Sequence, residues 1–358
     1  MTDVRPGARD IGLCIGRLPT GRLNAITDVP DVRVGHVSVI RGEGPLIVGQ
    51  GPVRTGVTAI VPHGGNLYTD RICAAVHVIN GFGKTVGLPQ VTELGQIESP
   101  ILLTSTLSAW RVADALCGWM AEQNPTAHTF NPLVGECNDA GLNDAVGRHV
   151  TAEHVRECLQ AASGGGVAEG NVGAGVGMRG FGWKAGIGTA SRTVQEYHVG
   201  ALVLTNTGAA QDLRIDGIPV GRHLSSAPTE TAHGSIIILI ATDAPMEARQ
   251  LKRLARRGAL GLGRTGATAS HSSGDFVIAF STGYRISSAG EVGIAPPGLV
   301  PEPHLTEFFT AAVEAVEEAI INSILRCETM SGCNGVTFAA IPLDELECLL
   351  RKHGAIDD

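Results

Sequence analysis

The stretch GSIIILIA, residues 234–241, decides how the fold of this chain is interpreted. Its last six residues form a short apolar run rich in β-branched side chains, which predicts a buried strand over Ile236–Ala241. The small, polar, Pro-containing residues 225–233 before it predict a loop that includes His233. Ser235 therefore stands where a loop enters a central strand, and Gly234 permits a bend that a side chain would forbid.

This placement suits cleavage of the backbone by the chain itself. The Ser235 hydroxyl can attack the Gly234 carbonyl, and the new chain then begins at Ser235 with a free α-amine. A hydroxyl nucleophile and a base would belong to one residue, as in nucleophilic enzymes with an N-terminal catalytic residue. An α-amine titrates near 7.7–8.0, so about a tenth of it is neutral near pH 7 and can act as a base. The same local pattern also fits an ordinary turn before a strand.

The composition indicates a packed globular protein. Of 358 residues, 43% are hydrophobic and 17% charged, while aromatics make up only 4% and glycines number 48. Such a core is built from small and β-branched side chains in layered sheets and helices. We find no linker and no internal repeat, and we therefore expect a single domain over residues 1–358. Strands and helices do not alternate strictly, which favours an α+β class.

Charge and residue spacing exclude several classes of function. The net charge of −8 argues against a nucleic-acid partner, because phosphate binding requires clustered positive charge. The eight cysteines include no C-x-x-C pair and the twelve histidines no H-E-x-x-H motif, so we expect no metal and no cofactor. Residues 1–20 do not resemble a secretory signal, and the apolar runs are too short to span a membrane. We expect no membrane partner and a cytoplasmic location.

The glycine-rich residues 163–188 are a second feature with two interpretations. A dinucleotide or phosphate loop is disfavoured, since no clear strand precedes these glycines and no Walker lysine follows them. Close packing of neighbouring backbones is the preferred interpretation. Elsewhere, periodicity predicts further strands and helices. The main predicted strands cover 32–39, 57–61, 74–79, 101–104, 197–204 and 275–280, and the main predicted helices cover 108–120, 150–162, 246–262, 307–326 and 344–352.

Ten blocks of sequence, spread in order over most of the chain, resemble one family, the L-aminopeptidase/D-esterases with the β-peptidyl aminopeptidases. They are LNAITDV (23–29), VGH (34–36), RTGVTA (54–59), VGECND (134–139), VAEGNVG (167–173), KAGIGTAS (184–191), GSII (234–237), ATDAP (241–245), LKRLARR (251–257) and RTG (264–266). The resemblance implies a four-layer αββα sandwich. It also implies self-cleavage into a large subunit, residues 1–234, and a small subunit, residues 235–358, and a homo-oligomer, typically a tetramer of processed protomers.

The resemblance further implies catalytic roles for four residues. Ser235 is the nucleophile, and Asn206 falls on the asparagine that contributes to the oxyanion hole, where its side-chain amide can donate to developing negative charge. The serine and carboxylate of the family's Ser-Gly-Asp/Glu motif fall on Ser273 and Asp275. Because a strand has a period of two, we expect both side chains on one face. There Ser273 can relay to Ser235 or its amine, and Asp275 can hold the charged form of that amine.

The same resemblance implies how a substrate is bound. Glu136 falls on the acid that receives the free amino group of the substrate, through a charge-assisted hydrogen bond. Asn138 falls on a position that contributes to the oxyanion site through a tyrosine in some relatives, so that phenol is missing here. At Gly141 relatives often carry a bulky aromatic residue, so we expect an enlarged or reshaped substrate pocket.

The expected function is therefore that of a serine aminopeptidase, amidase or esterase. It would release N-terminal amino acids from small peptides, amides or esters with a free amino group, through an acyl-enzyme. Two alternatives stay open. One is an acyltransferase like the related ornithine acetyltransferases, whose nucleophile is threonine, and the other is a binding protein that has lost activity.

Overall fold

The structure is a computed structural model that describes residues 5–224, 234–288 and 298–357. The loop expected over residues 225–232, and His233 after it, lie outside the described residues. The strands are β1 (Arg33–Arg41), β2 (Val53–Val61), β3 (Asp70–Gly81), β4 (Gln96–Ile97), β5 (Ile101–Ser105), β6 (Leu133–Cys137), β7 (Arg179–Gly180), β8 (Trp183–Lys184), β9 (Ile187–Val194), β10 (Tyr197–Asn206), β11 (Ser235–Thr242), β12 (Gly274–Ser287), β13 (Met330–Ser331) and β14 (Thr337–Phe338). The α-helices are α1 (Leu88–Leu94), α2 (Ala109–Gln123), α3 (Ala152–Gln160), α4 (Ala248–Arg264), α5 (Leu305–Leu325) and α6 (Leu343–Lys352).

Two large mixed sheets organise these elements. The smaller sheet has the strand order β1-β2-β5-β6, and the larger has the order β4-β3-β12-β11-β10-β9. Most neighbours are antiparallel, but β5 runs parallel to β6 and β11 parallel to β12. The strand β11 therefore lies inside the larger sheet, with β12 on one side and antiparallel β10 on the other.

Three separate groups of buried apolar residues reveal four layers. One group joins α2 and α3 to the outer face of the smaller sheet, and a second joins α4 and α5 to the outer face of the larger sheet. The third group lies between the two sheets. Each sheet is therefore covered by helices on its outer face and by the other sheet on its inner face. The expected α+β class and the four-layer αββα sandwich are confirmed.

The alternation of β11 fixes which side chains face which layer. Ile236, Ile238 and Ile240 pack toward the helices, whereas Ile237 and Leu239 pack into the space between the sheets. Because all of these are buried, the strand reads as a continuous apolar run rather than an alternating one. The predicted strand Ile236–Ala241 is confirmed, with one more residue at each end.

The predicted helices are also confirmed, with ends displaced by at most about three residues. Thr151 caps α3 as expected, since its Oγ1 accepts the backbone N–H of His154. The helix α5 is buried along most of its length, and its buried glutamates Glu314, Glu317 and Glu318 pair with arginines there. Fully buried Arg192 of β9 contacts Glu314 at 3.2 Å and Glu318 at 2.7 Å, so these charges compensate one another inside the protein.

The glycine-rich segment packs backbone against backbone. A Cβ at Gly186 would lie 2.0 Å from the carbonyl oxygen of Gly170, and one at Gly175 would lie 2.6 Å from the amide nitrogen of Ile187. Only glycine allows chains to approach so closely. The preferred interpretation is confirmed for Gly170, Gly175, Gly186 and Gly188. It does not hold for residues 164–166, where a Cβ would meet no atom closer than 3.9 Å.

None of the described helices combines the length and the apolar character that crossing a lipid bilayer requires. Within residues 5–224, 234–288 and 298–357, no three His, Cys, Asp or Glu side chains come together in a group that could hold a metal ion.

Candidate active site

A cleft of about 420 Å³ opens at the ends of both sheets, where β10 stops and β11 starts. Asn206, the last residue of β10, pairs across the ladder with Ser235, the first residue of β11. Ser235 is two residues from Ile237, so its side chain shares the face that points between the sheets. Glu136 of β6 lines the same cleft from the smaller sheet. The fold thus brings together Ser235, Asn206 and Glu136, which are far apart in sequence.

The hydroxyl of Ser235 is held by the turn before β12. Its Oγ accepts a hydrogen bond from the backbone N–H of Gly274 at 3.0 Å. Because this bond leaves the hydroxyl proton unused, Ser235 can still give that proton to a base. A side chain at Gly274 would collide with the backbone of Gly83 at 2.6 Å, so the contact depends on glycine here.

Gly234 is required by a close approach of two strand ends. A Cβ at this position would lie 1.8 Å from the carbonyl oxygen of Asn206. Glycine before the nucleophile therefore allows the two strand ends to touch, which puts the Gly234–Ser235 bond against Asn206.

Ser273 and Asp275 form a buried pair behind the nucleophile. The Ser273 hydroxyl donates to Asp275 Oδ2, and Asp275 Oδ1 accepts the backbone N–H of Ile236 at 3.1 Å. Burial raises the pKa of the Asp275 carboxyl, and the two hydrogen bonds oppose that rise. The pair therefore anchors the start of β11 through its backbone.

The predicted relay from Ser273 to Ser235 is not among the hydrogen bonds of the described residues. Side chains two residues apart on a strand lie on the same face, so Asp275 shares the face of Val277 and Ala279, which pack toward the helices. Ser235 lies on the opposite face of the sheet, which points between the two sheets. The contact that the turn makes with the nucleophile is the N–H of Gly274 instead.

Among the described residues, one hydrogen bond orients the carboxamide of Asn206. Its Oδ1 accepts the backbone N–H of Arg179 at 3.0 Å. This assignment leaves Nδ2 as the donor that Asn206 offers beside the nucleophile. The side chain is only 7% exposed, so a hydrogen bond that it donates in the cleft competes little with water.

Glu136 is a buried carboxylate held only by neutral donors. Its Oε1 accepts the backbone N–H of Lys84 at 2.7 Å, and its Oε2 accepts the hydroxyl of Thr106. No Lys or Arg side chain pairs with Glu136 among the ion pairs of the described residues, although it is only 2% exposed. A buried charge is stabilised by an opposite charge, so this carboxylate is suited to receive a cation from solution.

Asn138 and Gly141 also line the cleft, as expected. The Oδ1 of exposed Asn138 accepts the N–H of Ala140 at 3.0 Å, which fixes the loop after β6. Of the two outcomes expected at Gly141, an enlarged or a reshaped pocket, the structure shows a reshaped one. The ring of Phe338 fills the space next to Gly141, where a Cβ would lie 2.6 Å from Phe338 Cζ. The aromatic group of this wall comes from β14, which a local sequence pattern does not reveal.

Asn80 is a further site residue that sequence reasoning missed. It is the second-last residue of β3, opposite Asp275, and its Nδ2 donates to the carbonyl oxygens of Ser270 at 3.0 Å, His271 at 3.1 Å and Ser273. These bonds hold the turn that presents the Gly274 N–H to Ser235. The available signal was a polar residue at the end of an apolar strand, which is a common place for functional side chains.

We expect Asn80→Ala to lower kcat about tenfold with little change in KM, because a displaced turn misplaces the nucleophile. Asn80→Asp should be worse, since it directs a carboxylate at three carbonyl oxygens. Steady-state kinetics check this, with exposed Asn66→Ala as the control. An unchanged kcat for both Asn80 variants would contradict a positioning role.

Comparisons with known proteins agree with this geometry. The profile of peptidase family S58 matches residues 24–338. The β-peptidyl aminopeptidase BapA of Sphingosinicella microcystinivorans is 43% identical, over 97% of this chain and 92% of that protein. The crystal structure of the PH0078 protein from Pyrococcus horikoshii OT3 has a TM-score of 0.94 and 48% identity, and the match covers 98% of this chain and 99% of that one.

A second solved structure defines the fold. The L-aminopeptidase D-Ala-esterase/amidase from Ochrobactrum anthropi, described as a prototype of the serine aminopeptidases and a variant of the Ntn hydrolase fold, has a TM-score of 0.91 and 36% identity. The match covers 99% of this chain and all of that one. With a profile matched over most of its length and relatives above 40% identity, the chain belongs to peptidase family S58 and is a hydrolase of the peptidase class.

Proposed function

We propose that this protein is a self-processing serine aminopeptidase that releases amino-terminal residues from small peptides, amides or esters. One observation carries the proposal: Ser235, preceded by a glycine pressed against Asn206, shares its cleft with Glu136, a buried carboxylate that has no ion-pair partner among the described residues. A nucleophile alone fits many hydrolases. A nucleophile beside a receptor for an ammonium group fits an enzyme that recognises a free amino terminus.

The first step is cleavage of the chain itself. The Oγ of Ser235 attacks the carbonyl carbon of Gly234, the C–N bond breaks, and the acyl group moves to oxygen as an ester. Water then hydrolyses the ester and leaves a carboxylate on Gly234. The products are residues 1–234 and a second chain, residues 235–358, which begins with the α-amine of Ser235.

That amine supplies the base for substrate turnover. It accepts the proton of its own hydroxyl as Oγ attacks the substrate carbonyl, and later returns a proton to the leaving group. Asn206 Nδ2 donates to the oxyanion that forms. Water then releases the acyl group. The buried Ser273–Asp275 pair keeps the start of β11 in place. The carboxylate of Asp275 lies beside the new terminus and stabilises the protonated amine.

Glu136 selects the substrate by receiving its ammonium group. Lys84 N–H and the Thr106 hydroxyl occupy one position on each carboxylate oxygen, so other lone pairs stay available for the substrate. Asn138, at the exposed edge of the cleft, contacts the bound substrate from its open side. Homo-oligomerisation and a cytoplasmic location stay predictions of the sequence.

The test is N-terminal sequencing and intact-mass measurement of purified, active protein. We expect two chains, one of them beginning Ser-Ile-Ile at Ser235, with masses that sum to that of the full chain plus one water. Hydrolysis of amino-acid p-nitroanilides by the same sample gives the activity. Active protein with an intact Gly234–Ser235 bond would overturn the proposal.

A further inference from the structure

One wall of the cleft is built from two segments that lie almost 200 residues apart. Gly141 follows β6, and Phe338 ends β14. A Cβ at Gly141 would lie 2.6 Å from Phe338 Cζ and 3.2 Å from Cε2, so the tip of the ring occupies the place of a side chain at position 141. Both residues line the cleft that contains Ser235. The size of this end of the cleft is therefore set by Phe338.

The ring is covered by an arginine, and the backbone that carries it is held at several points. The guanidinium of Arg179 lies over it, 5.0 Å from the ring centroid. The backbone of Phe338 pairs with Met330 in the β13–β14 hairpin. The turn of this hairpin is tied to the loop of Gly141 by a hydrogen bond from Cys333 N–H to the Leu142 carbonyl at 3.0 Å. After the ring, the carbonyl of Ala339 accepts the N–H of Lys184 at 2.7 Å. A ring fixed in this way is a rigid wall rather than a mobile flap.

The position of the bound substrate brings its side chain to this wall. If Glu136 binds the ammonium group and Ser235 attacks the carbonyl of the same residue, that residue lies between these two side chains. Lys84 and Thr106 already contact the two oxygens of Glu136, and the loop through Ala140 and Gly141 lines the same cleft together with Phe338. A substrate side chain that extends along this loop meets the ring of Phe338.

We propose that Phe338 is the specificity-determining residue of this enzyme and limits the size of the amino-terminal side chain that it accepts. This inference rests on the proposed function. Amines with a short side chain fit in front of the ring, whereas long or aromatic side chains collide with it. Gly141 and Phe338 act as one unit, because a larger residue at 141 and the ring at 338 exclude each other.

The experiment compares alanine p-nitroanilide with phenylalanine p-nitroanilide, with kcat/KM as the readout. In Phe338→Ala we expect the ratio of kcat/KM values, phenylalanine to alanine, to rise at least about tenfold, since pocket volume discriminates side chains by such factors. Phe338→Leu should give an intermediate ratio and serves if the alanine variant folds poorly. Phe309→Ala is the matched control: Phe309 is also partly buried and lies under an arginine, Arg257, but on the surface of α5.

A double substitution tests the exchange of the aromatic group. Gly141→Trp alone should lower kcat/KM for both substrates, because the indole and the ring of Phe338 need the same space. Gly141→Trp combined with Phe338→Ala should recover activity and return the ratio toward that of the wild type. A purely structural role of Phe338 would lower both rates together and leave the ratio unchanged.

The experiment distinguishes a failure of this inference from a failure of the proposed function. N-terminal sequencing first confirms that each variant begins its small chain at Ser235. A processed, active Phe338→Ala protein with an unchanged ratio overturns this inference and leaves the proposed function intact. A processed wild type that hydrolyses neither p-nitroanilide, nor the corresponding esters, overturns both.

Discussion

The Ser235→Ala protein is expected to stay a single chain of 358 residues and to hydrolyse no amine-bearing substrate. The substitution removes the Oγ that attacks Gly234, so the ester that precedes cleavage cannot form. Without cleavage there is no α-amine, and turnover lacks both its nucleophile and its base. Loss of a catalytic nucleophile lowers kcat by about 10⁶-fold in a comparable serine hydrolase, which is below detection in a routine assay. A denaturing gel and a p-nitroanilide assay measure both effects.

Two further variants separate this result from misfolding. Ser235→Cys keeps a nucleophile and an N-terminal amine, so it should still cleave, at a changed rate. Ser163→Ala, an exposed serine with no assigned role, should cleave and turn over like the wild type. Cleavage of Ser235→Ala at residue 234 would show that another group breaks the bond, and the proposed chemistry would then be wrong.

The features that sequence predicted here are those with a local cause. The presence of β11 follows from a continuous apolar run, and that of α5 from apolar residues at intervals of three and four, so both patterns lie within the element itself. The importance of Gly234 beside Ser235 could be predicted for the same reason. The contact that requires glycine could not be predicted, because the carbonyl oxygen of Asn206 comes from a strand 28 residues earlier in the chain.

The features that sequence missed depend on contacts between distant segments. Asn80 acts on a turn about 190 residues later, and the space beside Gly141 is filled by a ring about 200 residues later. The resemblance to a family predicted that Ser273 and Asp275 act together, and the hydrogen bond between them agrees with that prediction. The resemblance did not reveal that this pair and Ser235 lie on opposite faces of the sheet. That arrangement depends on which side chains of each strand point to which face in the assembled sheet.

The second large effect is expected from removing the negative charge of Glu136. This change should abolish the preference of the enzyme for substrates with a free amine. Glu136→Gln keeps the shape of the side chain and retains an oxygen for the Lys84 N–H, but it removes the negative charge that receives an ammonium group. We expect kcat/KM for alanine p-nitroanilide to fall about 100-fold, because a hydrogen bond to a charged group contributes about 1.5–3 kcal/mol. Most of this loss should fall on KM. Cleavage at Ser235 should proceed normally, since the Gly234 carbonyl is attacked without an ammonium group nearby.

Recognition of the substrate amine is measured by the ratio of kcat/KM for a substrate with the amine to kcat/KM for one without it. Propionyl p-nitroanilide has the size of the alanine compound without its amine, so the wild type should prefer the alanine compound strongly and Glu136→Gln should not. Glu98→Gln is the matched control, because Glu98 is also a buried carboxylate but pairs with Arg71 at 2.9 Å, outside the cleft. A Glu136→Gln enzyme that still prefers the free amine by the wild-type factor would show that another group binds it. The cleft would then lack the feature that distinguishes an aminopeptidase from a general amidase.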